Sequence, residues 1–180
     1  MFEIFFKQAT HGVRRPIRCS GKEMDSQFIT WTEEFAIGHE SLDAEHHSLV
    51  DCINEIHTAQ CAKQCSGQMK PLVNTLYRLA GDHFQHENSI LNGINSGPIP
   101  YGVDKRAFLG AMVDAAIAEH TANHKRSLHE LNTTIRDFYA GLGSVEQELS
   151  LGLKEWFIDH TIKYDVPLRR VFQTLAGRVL

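Results

Sequence analysis

The chain contains no apolar run of membrane-spanning length. Its opening, Met1-Phe2-Glu3-Ile4-Phe5-Phe6-Lys7, is too short and too interrupted by charge for a secretion signal. The expectation is a cytoplasmic protein with no membrane partner. Positive charge is also in short supply. Lys and Arg number 18 against 22 Asp and Glu, and the formal net charge of -4 argues against nucleic acid as a partner. Cysteine is sparse: Cys19, Cys52, Cys61 and Cys65 follow no zinc spacing and are expected to be reduced thiols, with Cys61 and Cys65, four apart, the one pair open to a redox reading. Also missing is any Glu-x-x-His, the pair from which helical bundles build carboxylate-rich oxidative metal sites.

What is present is helical periodicity. Leu42, His46, Leu49, Ile53 and Ile56 form one stripe at intervals of four and three, and Leu72, Leu76, Leu79 and His83 a second. Val113, Ile117, His120 and His124, continued by Leu131, Ile135 and Phe138, make a third, and Leu149, Leu153, Trp156 and His160 a fourth. The predicted helices run from Ser41, as cap, to near Cys61; from near Gln68 to Asn92; from beyond Asp104 to Tyr139, ended by Gly141 and Gly143; and from a capping box at Ser144 and Gln147 to about Tyr164. With 180 residues, 42% hydrophobic and 22% charged, one bundle core can be buried. The fold class expected is all-α, an antiparallel up-down-up-down four-helix bundle over 28–166, with an N-terminal extension (1–27) and an extra C-terminal helical tail (167–180).

Each stripe carries histidine on its apolar face. His83/Glu87 and His120/His124 are four apart and so lie one above the other. A lone histidine of this kind is ordinarily a hydrogen-bonded core residue. Five imidazoles (His46, His83, His120, His124, His160) and two carboxylates (Glu87, Asp165) cannot share one core unpaired, because buried unpaired charge costs several kcal/mol. Metal satisfies all seven together. Two six-coordinate ions offer twelve positions, of which five imidazoles, two bridging carboxylates and a bridging oxo or hydroxo group fill all but one. A donor set of imidazole and carboxylate without thiolate suits iron, and an iron pair with one open position can take a diatomic gas.

These residues carry a resemblance. Trp31, Leu42-Asp43-Ala44-Glu45-His46-His47-Ser48-Leu49, His83-Phe84-Gln85-His86-Glu87, His120-Thr121-Ala122-Asn123-His124 and Trp156-Phe157-Ile158-Asp159-His160-Thr161-Ile162-Lys163-Tyr164-Asp165 resemble the hemerythrin family, of the bacterial kind, over about 28–166. The resemblance implies two Fe ions, oxo- or hydroxo-bridged. His120, His124 and His160 would hold the saturated iron and His46 and His83 the open one, with Glu87 and Asp165 bridging. It implies an O2 pocket walled by Leu49, Phe84, Trp156 and Phe157 around the open iron. Thr161 departs from the apolar residue usual there, so its hydroxyl could meet bound ligand or admit water. His160 and Asp165, five apart, are offset by about 140° on a regular helix, so the helix is expected to distort or end there, with Pro167 ending it.

The function expected is reversible O2 binding for carriage, storage or delivery, without dedicated catalysis beyond weak peroxidase side activity. The alternative is an input domain sensing O2, redox state or NO, and a di-iron oxidase or peroxidase is least favoured. The 32 residues between Glu87 and His120 exceed the family's usual connection and read as a surface insertion. The basic tail could serve a homodimer or a downstream output domain. His11, His39, His47, His57, His86 and His129 lie outside the ligand pattern and are expected to be mainly solvated, with His86 sharing a turn with His83 and Glu87.

Overall fold

The computed structural model describes residues 27–62, 66–96, 111–140 and 149–175. Four long helical segments follow one another: α1 (Glu40–Cys61), α2 (Ser66–Ser96), α3 (Ala111–Ala140) and α4 (Leu149–His160). A π-helical turn (Thr161–Asp165), a 3₁₀ turn (Val166–Leu168) and α5 (Arg169–Leu175) continue α4 without a break. There is no strand among the described residues. Successive helices pack against each other and α4 closes back on α1.

The pairing runs antiparallel throughout. Along α1 and α2, Cys52 meets Leu72 while Glu45 meets His86; along α2 and α3, Glu87 meets His120 while Phe84 meets His124. Between α3 and the α4 run, Thr134 lies against Gly152 and His120 against Tyr164, and between α1 and that same run His57 meets Ser150 while His46 meets Asp165. A Cβ on Gly152 would lie 3.3 Å from the Thr134 methyl, so glycine sets how closely α4 approaches α3.

The apolar stripes converge into two clusters. The larger contains Leu49, Ile53, Ile56, Val73, Leu76, Phe84, Leu131, Leu153 and Phe157; the smaller contains Ile37, Leu42, Leu91, Ile117, Leu168 and Phe172. Each fully buried aliphatic or aromatic side chain contributes about 1.5–3 kcal/mol, and these two layers hold the polar level between them closed.

Several expectations need correction. Helix α1 begins at Glu40 with His39 at its cap position and no side-chain cap bond, so Ser41 is not the cap. Asp43 reaches back instead, and its carboxylate accepts the N–H groups of Ile37 (2.7 Å) and Gly38 (3.1 Å), where Gly38 takes the left-handed φ of +81° that glycine adopts without strain. Helix α2 runs on to Ser96, past the expected end at Asn92, while the third helix is in place by Ala111, within the range expected for it. The Ser144 capping box and Gly141/Gly143 lie outside the described residues, as do residues 1–26. Of the distortion or ending expected between His160 and Asp165 the structure shows the distortion, a π turn, and Pro167 does not end the helical run because it sits in the first turn of the 3₁₀ segment, where a missing N–H costs nothing. Cys52 is a free buried thiol pushed up to about 11 by burial and then by Glu55. Cys61, the last residue of α1, is disulfide-bonded, against the expectation of four reduced thiols.

The start of the expected tail is part of the fold. Leu168 and Phe172 are buried in the smaller cluster, and the Phe172 ring lies 5.2 Å from that of His39. The Arg169 guanidinium donates to the carbonyls of Ala36 (2.7 Å), Glu34 (2.9 Å) and Glu33 (3.0 Å), tying α5 to the segment before α1. Charge-assisted bonds of this sort are worth about 1.5–3 kcal/mol when shielded and less when exposed. Replacing Arg169 by Ala is expected to lower the unfolding free energy by about 1–3 kcal/mol in urea titration, with Lys recovering only part because it lacks the fork.

Candidate metal centre

All seven expected donors arrive at one level, between the two apolar clusters. His46 comes from α1, His83 and Glu87 from α2, His120 and His124 from α3, His160 from the last turn of α4 and Asp165 from the π turn. Each is buried, and Glu87 and Asp165 are 0% exposed. The π turn explains how residues five apart share a target. The Val166 N–H bonds back to the Thr161 carbonyl in the i→i+5 pattern, and this wider turn brings the Asp165 Oδ1 to 3.2 Å from the His160 Nε2.

The contacts fall into two groups that share Asp165. On one side the Nε2 atoms of His46 and His83 are 3.1 Å apart and Asp165 Oδ2 lies 3.2 Å from His46 Nε2. On the other, Glu87 Oε2 lies 2.9 Å from His120 Nε2 and 3.0 Å from His124 Nε2, and Asp165 Oδ1 faces His160 and, at 3.7 Å, His120. Glu87 Oε2 is also 4.0 Å from His83 Nε2. Asp165 therefore serves both groups, one oxygen toward each, while Glu87 belongs to the second and only approaches the first.

The hydrogen bonds behind the imidazoles decide what these contacts mean. His83 turns its Nδ1 to the Glu45 carboxylate at 2.9 Å, and His124 turns its Nδ1 to the Asn88 carbonyl oxygen at 3.0 Å. A carboxylate and an amide oxygen can only accept, so each Nδ1 carries the proton and each Nε2 is left with a bare lone pair. The His124 Nε2 thus faces the Glu87 oxygen acceptor to acceptor, and it has no hydrogen-bond partner. Asp165 Oδ1 and Oδ2, Glu87 Oε1 and His160 Nε2 are also buried without one. Converging lone pairs repel unless a cation stands among them. Two donors about 2.1 Å from one ion at a right angle are about 3 Å apart, which is the separation found between the neighbouring donors. The residues fit a pair of metal ions.

The ionisation of the metal-free site agrees. Burial pushes Glu87 up and Asp165 does the same, yet the His120 imidazole, 2.9 Å away, outweighs them and holds it below the usual carboxylate range. Burial likewise opposes ionisation of Asp165, and His160 and His46 hold it well below the usual carboxylate range. Burial lowers His46 and His120, but Asp165 and Glu87 respectively outweigh it, so both imidazoles bind protons more tightly than usual; burial prevails at His124, which is lowered.

A supporting layer was only partly legible in the sequence. Glu45 grips His83 through one oxygen and His86 through the other at 2.6 Å, which places His86 in contact with the ligand set through that carboxylate. Asn88 and the Tyr164 backbone hold His124 and His120. Glu45 is a direct neighbour of His46, and that adjacency turns it toward α2; the pattern of apolar stripes gives no sign of it. His57, expected to be solvated, is half-buried, stacked on Phe28 at 3.9 Å and 3.1 Å from the Ser150 hydroxyl.

The expected O2 wall is divided. The Phe157 edge meets His46, with centroids 6.2 Å apart, and Leu49 is buried one turn beyond His46. Phe84 is not confined to that side, for it stacks on His124 at 4.3 Å and lies 4.6 Å from His160. Trp156 stands behind Phe84 at 6.4 Å and donates its indole N–H to Ser127 Oγ and the Ser127 carbonyl. Thr161 is buried as the first residue of the π turn. Trp31 stacks on His47 at 3.8 Å, outside His46.

Two outcomes follow for metal loading. Glu45→Ala is expected to weaken metal binding about 10–100-fold, with Glu45→Gln weakening it less, in competition with a chelator. Because His46 and His120 hold protons in the metal-free protein above the ordinary imidazole range, loading near neutral pH is expected to release protons into a weak buffer and to weaken as pH falls.

Among the described residues no helix is long and apolar enough to cross a membrane. No curated protein matches the chain. The family model described as Hemerythrin HHE cation binding domain matches residues 37–163, well over half the sequence, and spans every donor except Asp165. With its buried two-group site and bundle architecture, the chain belongs to the hemerythrin HHE cation-binding domain family.

Proposed function

We propose that the chain binds O2 reversibly at a non-haem di-iron centre held by the seven donors, serving carriage, storage or delivery. The observation that carries this reading is the facing of buried acceptors, with His124 Nε2 at 3.0 Å from Glu87 Oε2 and both Asp165 oxygens unpartnered. Iron is the metal this donor set suits, since thiolates are absent and imidazole and carboxylate are mixed. When bound, an iron pair would lend two electrons to O2 and recover them on release.

The chain's own residues prepare the site for that exchange. Asp165, shared by the two groups, and Glu87, which approaches His83 of the other group at 4.0 Å, would be the carboxylates common to the pair, and three imidazoles (His120, His124, His160) against two (His46, His83) would leave the His46/His83 side the less filled. Phe157 and Leu49 keep that side apolar and exclude water and anions. Glu45 fixes the His83 tautomer there. Dedicated catalysis is not part of the proposal, because the carboxylate-rich Glu-x-x-His pattern is absent from the sequence.

A second reading, a sensing input domain, is favoured by one observation. Asp165 is joined through the 3₁₀ turn to α5, whose Phe172 and preceding Leu168 are buried beside Leu42 and Leu91, so a shift at this donor would be felt by the tail.

The chain reconstituted with ferrous iron without air is expected to hold two irons. It should develop a visible absorption band on exposure to O2 and lose it on degassing. Continuous consumption of an added reductant, or a single zinc per chain, would overturn the carrier reading. Hydrogen exchange over 169–175 is expected to match in the reduced and oxidised forms of a carrier and to differ in those of a sensor.

A further inference from the structure

A cleft of about 360 Å³ lies between α3 and α4, and His160 is the one of the seven donors that lines it. Its rim carries the exposed carboxylates of Glu130, Glu155 and Asp159, opposed by Arg126 and by Lys163, which is itself held by Asp159 at 2.6 Å. On the inner wall is Asn123, 3% exposed, whose carbonyl Oδ1 is buried without a hydrogen-bond partner. The outer nitrogen of His160, Nδ1, is unpartnered as well. Three of the other rings are pinned from behind: His83 by Glu45, His124 by Asn88 and His120 by the Tyr164 backbone. His46 lies between the Trp31 and Phe157 rings. His46 Nδ1 is also without a partner, but His160 is the donor that faces the cleft, and it stands where the α-helix gives way to the π turn.

These features line up from solvent inward as carboxylate, neutral oxygen and imidazole. Hard divalent cations take oxygen ligands and shed water stepwise; acidic clefts raise the local cation concentration. We propose that the α3–α4 cleft is the port by which a divalent cation reaches the buried centre. Glu130 and Glu155 draw it in, Asn123 Oδ1 replaces part of its water, and His160, the donor lining the cleft, is the first of the seven to meet it. The inference rests on the metal-centre reading above and adds to it a route and an order of contact.

The test is anaerobic uptake of Co(II), and then Fe(II), by the full metal-free chain, followed by stopped-flow absorption, with the final stoichiometry measured separately. At low salt the Glu130→Gln/Glu155→Gln double variant is expected to take up metal about threefold or more slowly, and Arg126→Gln to take it up faster, with both differences shrinking at high salt. Asn123→Leu is expected to slow uptake at every salt concentration, and all variants should still fill to two ions. Asp51→Asn/Glu55→Gln, on the α1 face, is expected to match the unaltered chain. Rates unchanged in both rim variants, or an equal slowing in the α1-face variant, would overturn the port while leaving the centre intact. Failure of the unaltered chain to bind two ions would overturn the centre itself.

Discussion

Two buried carboxylates and five imidazoles turn their lone pairs toward one another inside an apolar bundle, and nearly everything else in the molecule follows from the need to make that arrangement tolerable. The site presents mainly acceptors, since the protons of His83 and His124 are committed outward to Glu45 and Asn88. Desolvated carboxylates such as Glu87 and Asp165 cost several kcal/mol apiece unless compensated. The compensation available without metal is proton sharing with His46 and His120, and the depressed carboxylate and raised imidazole ionisations record it. Cations held among these donors would compensate better, and separations close to 3 Å leave room for them.

The layers around this level have distinct tasks. Apolar clusters on either side exclude water, so the electrostatics stay strong. The outer hydrogen bonds select tautomers, and without them an imidazole could present N–H where a lone pair is required. The π turn supplies what a regular helix cannot, bringing His160 and Asp165 within 3.2 Å of each other from one continuous segment. That continuity also binds the site to α5 through Leu168 and Phe172, so the end of the chain's helical run is mechanically part of the centre's support.

The bundle was legible because its signal is local and repeated. Four stripes at intervals of three and four place Leu42, Leu76, Leu131 and Leu153 inside, and the structure buries each completely. The donors were legible for the same reason, as they occupy those stripes. Errors cluster where the outcome depends on partners distant in sequence. Ser41 has the chemistry of a cap, but the carboxylate of Asp43 takes the free N–H groups of the incoming chain. Pro167 has the chemistry of a terminator, but the π and 3₁₀ turns absorb it. Phe84 follows His83 directly, yet its face is set by α3, on which it stacks.

By itself the sequence determined the helical class, the faces of the helices and the seven side chains that share the interior, because helix periodicity is a property of neighbours along the chain and buried charge admits few remedies. Only the tertiary structure decided that Asp165 is shared by both groups, that Glu45, Asn88 and Tyr164 hold the imidazoles, and that Arg169 and Phe172 fold back on the bundle. Those outcomes depend on the distances between helices and on the register at which they pack, and no local spacing encodes either.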